Sequence, residues 1–166
     1  MKKILNTIAI LMLFSITFSA CKKGAQGEPG PTGNANVALF TFENKTFTSS
    51  LNLIIPITTA KVDSSLVLAY YNPTLEDVTA WYPIPGIGSS GSYQTRYFLF
   101  RNAGQNTYTF GIRVLDLAGN PYVGALTFRK IKVIFAPAAS ITPLSSSIDD
   151  LRNDYKLAEK HFNLTL

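Results

Sequence analysis

The chain has 166 residues, 46% hydrophobic and 15% charged, with a formal charge of +5, one histidine and one cysteine. That length suits one ordinary domain, and the apolar share is enough to build a packed core. One histidine and one cysteine exclude a clustered nitrogen-and-sulfur metal site and any disulfide within the chain, and scattered basic residues argue against nucleic-acid binding.

Residues 1–20 have the three-part layout of a secretory signal. Lys2 and Lys3 form a short positive region, Ile4 to Phe18 is almost wholly apolar, and small residues follow at Ser19 and Ala20. A helix over Ile4–Phe18 would span roughly 22 Å at ~1.5 Å per residue, short of the ~30 Å hydrocarbon core. Cys21 comes next, and Phe18-Ser19-Ala20-Cys21 resembles the bacterial lipobox, although Phe18 stands where an aliphatic residue is usual. The resemblance implies cleavage between Ala20 and Cys21 and a diacylglycerol on the Cys21 thiol. With Lys2 and Lys3 removed in the signal, the formal charge falls from +5 to +3.

Residues 21–36 read as a tether. Gly24, Gly27, Gly30 and Gly33 recur every third residue, with Pro29 and Pro31 at positions that a collagen period allows. Such a short run favours a polyproline-like spacer over a working triple helix, with a reach of roughly 35–40 Å at ~3.1 Å per residue.

From residue 37 to 166 the chain reads as strands followed by one helix. Val37–Glu43 is apolar and aromatic, and Leu51, Leu53, Ile55 and Ile57 alternate. Ser65–Tyr71 is a continuous apolar run, as expected of a strand buried on both faces. Val78–Pro83 is a short candidate strand, limited by Pro83 and Pro85. Tyr93–Phe100 and Thr107–Val114 alternate with period two, and Ala125–Phe135 is the last long strand. Turns are marked by Asn72-Pro73, by Pro85–Ser92, by Asn102–Asn106 and by Asp116–Pro121. About seven strands with this spacing predict an all-β, antiparallel β-sandwich, immunoglobulin-like in outline, with a jelly roll or small barrel as alternatives. A single helix is predicted over 147–161: Ser147 can cap it, Asp149 and Asp150 favour its first turn, and Lys156, Lys160 and His161 favour its end.

A lipobox cysteine, a few Gly-X-Y triplets and then Gly33-Asn34-Ala35-Asn36-Val37 look like a group of collagen-like Bacteroidota lipoproteins. Phe128–Ile134 running to Pro137, with Asp154-Tyr155 and Phe162-Asn163-Leu164 near the end, looks like the same group. The resemblance implies an envelope location, with the outer membrane expected, and a β-rich domain; it implies no activity. Some lipoproteins of these bacteria carry acidic residues just after the cysteine as a surface-export signal. Here Lys22-Lys23 follow, and Glu28 is the first acid, so the membrane face stays open.

Chemistry is sparse. Asp149, Asp150 and Asp154 read as helix-turn acids before calcium ligands, and the Asp116–Asn120 turn offers too few oxygens alone. His161 is the only base for a serine triad, and a helix-end cation is the simpler role. Glu76-Asp77, with Glu43 or Asp63 opposite, is a conceivable hydrolase pair that no spacing enforces. The best ligand-binding candidates are Trp81 and Tyr82, in the loop Trp81–Gly86. Exposed, these rings would stack on sugars or a partner, but the sequence favours Trp81 as the core tryptophan of the sandwich. The expected function is a non-catalytic binding or structural module without cofactor, held to the membrane by its N-terminal lipid and contacting an envelope protein or glycan. A carbohydrate-binding accessory protein and a carboxylate hydrolase are the alternatives.

Overall fold

Apolar runs separated by glycine- and proline-bearing turns become strands in the computed structural model, which describes residues 36–140 and 147–164. The segment expected to be a signal, the Ala20–Cys21 junction and the expected spacer as far as residue 35 lie outside the described residues. The strands are β1 (Ala38–Phe47), β2 (Ser50–Ile55), β3 (Ser65–Pro73), β4 (Tyr82–Ile84), β5 (Gly86–Ile87), β6 (Tyr93–Arg101), β7 (Tyr108–Asp116) and β8 (Leu126–Pro137). Helix α1 (Thr59–Asp63) precedes β3, and α2 (Ile148–Asn153) and α3 (Tyr155–His161) follow β8.

Pairing is antiparallel throughout, in two four-stranded sheets ordered β1-β8-β3-β4 and β2-β7-β6-β5. The architecture is therefore the expected all-β sandwich. Strands β1 and β2 are joined by a tight turn yet enter different sheets, a wrapped order laid over the two-sheet outline. The strand expected at Val78–Pro83 starts later. Val78 and Thr79 form a turn, Ala80 and Trp81 lie outside any strand, Tyr82–Ile84 pairs with β3, and after Pro85 the chain crosses to the other sheet, where Gly86–Ile87 pairs with β6.

The core between the sheets follows from period-two alternation. Tyr108, Phe110, Ile112 and Val114 of β7 face Ala69 and Tyr71 of β3 and Phe128, Ile131, Val133 and Phe135 of β8 in one buried cluster. Gly111 faces outward on β7 and lets the Phe98 ring of β6 lie across it; a methyl group there would overlap that ring. Arg113 covers the same ring, 4.6 Å from its centre.

Strand β3 is buried on both faces, as its unbroken apolar run predicts. Its other side chains, Leu68 and Tyr70, join Ile134 and Ala136 of β8 in a second cluster beneath Leu151, Tyr155, Ala158 and Phe162. The Tyr70 hydroxyl donates to the Leu151 carbonyl, tying sheet to helix. Burial pushes the Tyr70 pKa well up.

The helix predicted over 147–161 is two short helices. Ser147 caps the first in a capping box with Asp150. Asp154 breaks the run: its carboxylate accepts from the amides of Lys156 at 2.8 Å and Leu157 at 3.2 Å, so it caps α3 instead of continuing α2. A side chain that satisfies backbone donors locally competes with the helix interior. Among the described residues, no helix is long and apolar enough to cross a membrane.

Register places four connections at one end of the sandwich. The pairs Phe47↔Leu126, Pro73↔Phe128 and Tyr93↔Asp116 bring together 48–49, 74–81, 88–92 and 117–125. Strand β1 begins at the opposite end, where Ala38 pairs with Phe135.

Candidate functional site

The outward row of β8 reads Lys130, Lys132, Ile134, Ala136. Its apolar half lies under α2 and α3, while its cationic half emerges beside them toward the loop end. That change of polarity along one strand opens a cleft of about 340 Å³, within the ~300–1,000 Å³ range of small-molecule sites. Lys130, Lys132 and Asn72 line its sheet side, Val78 and Trp81 the loop side, and Tyr155, Lys156 and Glu159 the helix side, with Arg129 at the rim.

The loop wall is held in place from below. Asn72, 1% exposed, donates to the carbonyls of Asp77 at 3.0 Å and Ala80 at 2.6 Å. Arg129 donates to Asn72 Oδ1 at 2.5 Å and to the carbonyls of Thr74 and Glu76, both at 3.1 Å. These bonds satisfy backbone acceptors that the turns leave free and set the position from which Trp81 projects. The Trp81 ring meets Tyr155 with centroids 4.3 Å apart at 37°.

Lys132 is the electrostatic centre. It is only 6% exposed, its ammonium lies 5.3 Å from the Trp81 ring and 4.7 Å from the Tyr155 ring, and it donates to the Tyr155 hydroxyl. That hydroxyl donates in turn to Glu159, which lies 3.7 Å from Lys132 and 3.1 Å from Lys156. Burial lowers the Lys132 pKa, and the Glu159 charge opposes the shift. Burial alone would raise the Glu159 carboxyl, but bonds from Tyr155 and Lys156 and the two lysine charges outweigh it, and its pKa falls.

Glu159→Gln leaves Lys132 buried without its counter-charge; discounted for the partial exposure of Glu159, the expected cost is about 1–2 kcal/mol at pH 7. A carboxyl with a depressed folded pKa contributes stability above its ordinary value of 4.5 that is lost as pH falls through the folded value. The parent should therefore lose this increment on acidification, and the variant should show a smaller loss. Urea unfolding at pH 7 and pH 4 checks both; equal stability at pH 7 would remove the pair from the account.

Trp81 is not the core tryptophan expected from the sequence. It is half-buried on the outer face of the sheet, because the inward places at this edge are taken by Tyr82 and Ile84. Consecutive extended residues point to opposite faces, so Trp81 and Tyr82 do not form one platform. Tyr82 packs toward the inter-sheet core 5.6 Å from Tyr71, and its hydroxyl donates to Glu76 at 2.5 Å, a bond that raises the Tyr82 pKa. Trp81 has Tyr155 and Lys132 as neighbours instead. Neither was legible as a partner from its own surroundings.

The other candidate chemistries are dispersed. Glu43 pairs with Lys130 at 3.3 Å, and Asp77 accepts from Thr79 at 2.8 Å. Asp63 ends α1, at the opposite end of the sandwich from Glu76 and Asp77. Asp149 pairs with Arg152 at 2.8 Å, and Asp116 accepts from the Asn120 amide at 2.8 Å. His161 is exposed, edge-on to Phe162 at 4.7 Å. Among the described residues, no three histidine, cysteine or acidic side chains gather as a metal site.

A second groove, of about 410 Å³, opens among the end loops between Leu75, Ser89, Ser90, Tyr93 and Tyr122. Uncharged side chains line it, and Leu75 and Val123 stand 97% and 92% exposed on loops at the same end. No protein-family model matches the chain, and no curated protein or solved structure matches it.

Proposed function

We propose that this chain is an envelope lipoprotein, acylated at Cys21 and held to the outer membrane, whose sandwich is a non-catalytic module that binds a glycan in the Trp81 cleft. The observation that carries the reading is the partly exposed Trp81 ring at the wall of an open cleft with cationic neighbours. An indole placed so offers an apolar face to a sugar ring and hydrogen-bond donors around it. Glu43 on β1 and Asp63 at the end of α1 belong to other elements than the Glu76-Asp77 loop, which favours binding over hydrolysis.

Affinity electrophoresis tests the reading. The full chain in neutral detergent should be retarded in gels containing polysaccharide extracted from a Gram-negative envelope. Trp81→Ala should weaken retardation at least tenfold, about 1.4 kcal/mol, and Trp81→Phe should restore part of it. Unchanged retardation of Trp81→Ala would remove the cleft as the site.

A further inference from the structure

We infer that the glycan taken by the Trp81 cleft is acidic: a sugar chain carrying ring carboxylates, held by Lys130 and Lys156 at the mouth while Trp81 supports the ring. The inference rests on the glycan reading above and adds the charge of the ligand to it.

Four cations line the cleft, Arg129, Lys130, Lys132 and Lys156, against one carboxylate, Glu159. They do not serve alike. Arg129 is committed to Asn72 and two loop carbonyls. Lys132 is enclosed with Tyr155 and Glu159 and adds positive charge beneath the aromatic pair. Lys130 and Lys156 have side chains 41% and 60% exposed, and each shares a single acid, Glu43 or Glu159, across a solvent-facing ion pair. Exposed pairs of that kind exchange partners at little cost, so their ammonium groups are free to meet an incoming carboxylate. Glu159 stays in the cleft, which favours singly charged carboxylates spaced along a chain over a compact dianion such as phosphate, whose full charge would face it at short range.

Trp81 is the only tryptophan in the chain, so its emission reports on the cleft without labelling. The test titrates the full chain in neutral detergent with tetragalacturonate, its fully methyl-esterified form and inorganic phosphate. The acidic tetramer should shift Trp81 emission with an affinity at least tenfold above that of the ester. Raising salt from 0.05 M to 0.5 M should weaken the acid about tenfold and leave the ester nearly unchanged. The double variant Lys130→Ala/Lys156→Ala, confined to exposed side chains, should bring the acid down to the ester's affinity; the salt series makes the same test on the unaltered chain. Equal affinity for acid and ester would overturn the acidic inference and leave the glycan site standing. Displacement of the acid by millimolar phosphate would overturn it in favour of a phosphate site. No response to either saccharide would overturn it together with the glycan reading.

Discussion

Phe128→Ala is expected to destabilise the domain by about 3–5 kcal/mol, the range for removing a buried phenyl ring and leaving a cavity. Phe128 is 0% exposed. Its ring stacks on Tyr71 at 4.0 Å and 22°, and Phe47 meets it edge-on at 5.0 Å and 89°. Tyr71 in turn shares a hydroxyl contact with Tyr93 at 3.0 Å, and burial pushes the Tyr71 pKa far up. Two neighbouring strands of its own sheet therefore meet this ring, and the other sheet is linked to it through Tyr71. Phe128 also sits where the β3–β8 register shifts. For a domain of this size the melting temperature should fall by about 10–15 °C. Phe100→Ala, on the outer face of the other sheet where Phe100 stacks on Phe98 at 5.8 Å, should cost no more than about 1 kcal/mol. Thermal unfolding of both variants checks the contrast, and a small loss at Phe128 would mean that the inter-sheet core packs differently.

Local pattern revealed the fold well and the site poorly, for physical reasons. The run Leu66–Tyr71 announced burial on both faces because its apolar side chains do not alternate with polar ones, and each face found its layer. Ser147 announced its helix through capping chemistry that acts within four residues. The break at Asp154 was hidden, because an acid in a helical pattern reads as surface until its carboxylate is seen on the Lys156 amide. The late start of β4 was hidden too: Asn72 and Arg129 hold the preceding loop by bonds that cross up to 57 residues. Trp81 was misplaced for the same reason. Its partners Lys132 and Tyr155 lie on a strand and a helix far along the chain, and only the packing of α3 against the sheet brings them to it. The cleft is a product of tertiary assembly, built from a polarity change in β8 that looks like ordinary alternation when read alone.

Cys21→Ala is expected to abolish fatty-acid incorporation and move most of the protein from membrane to soluble fractions. As a helix, the apolar segment Ile4–Phe18 would span roughly 22 Å at ~1.5 Å per residue, too short for a lasting transmembrane anchor. Stable attachment then needs lipid. Each buried methylene contributes about 0.8 kcal/mol; one acyl chain holds only marginally, while two or more hold durably. Cys21 is the only thiol in the chain, so no other cysteine can substitute. The parent should incorporate labelled palmitate and resist alkaline carbonate extraction, and the variant should do neither. If the variant remained tightly membrane-bound, the lipid anchor would be wrong and the short apolar segment would have to carry the attachment. The stability of the sandwich should be untouched, because with a single cysteine no disulfide is lost and the domain rests on its two apolar clusters alone. The same variant thereby supplies a soluble form in which the Trp81 cleft can be titrated without detergent. Agreement between the two forms would show that ligand binding is a property of the sandwich and attachment a property of Cys21.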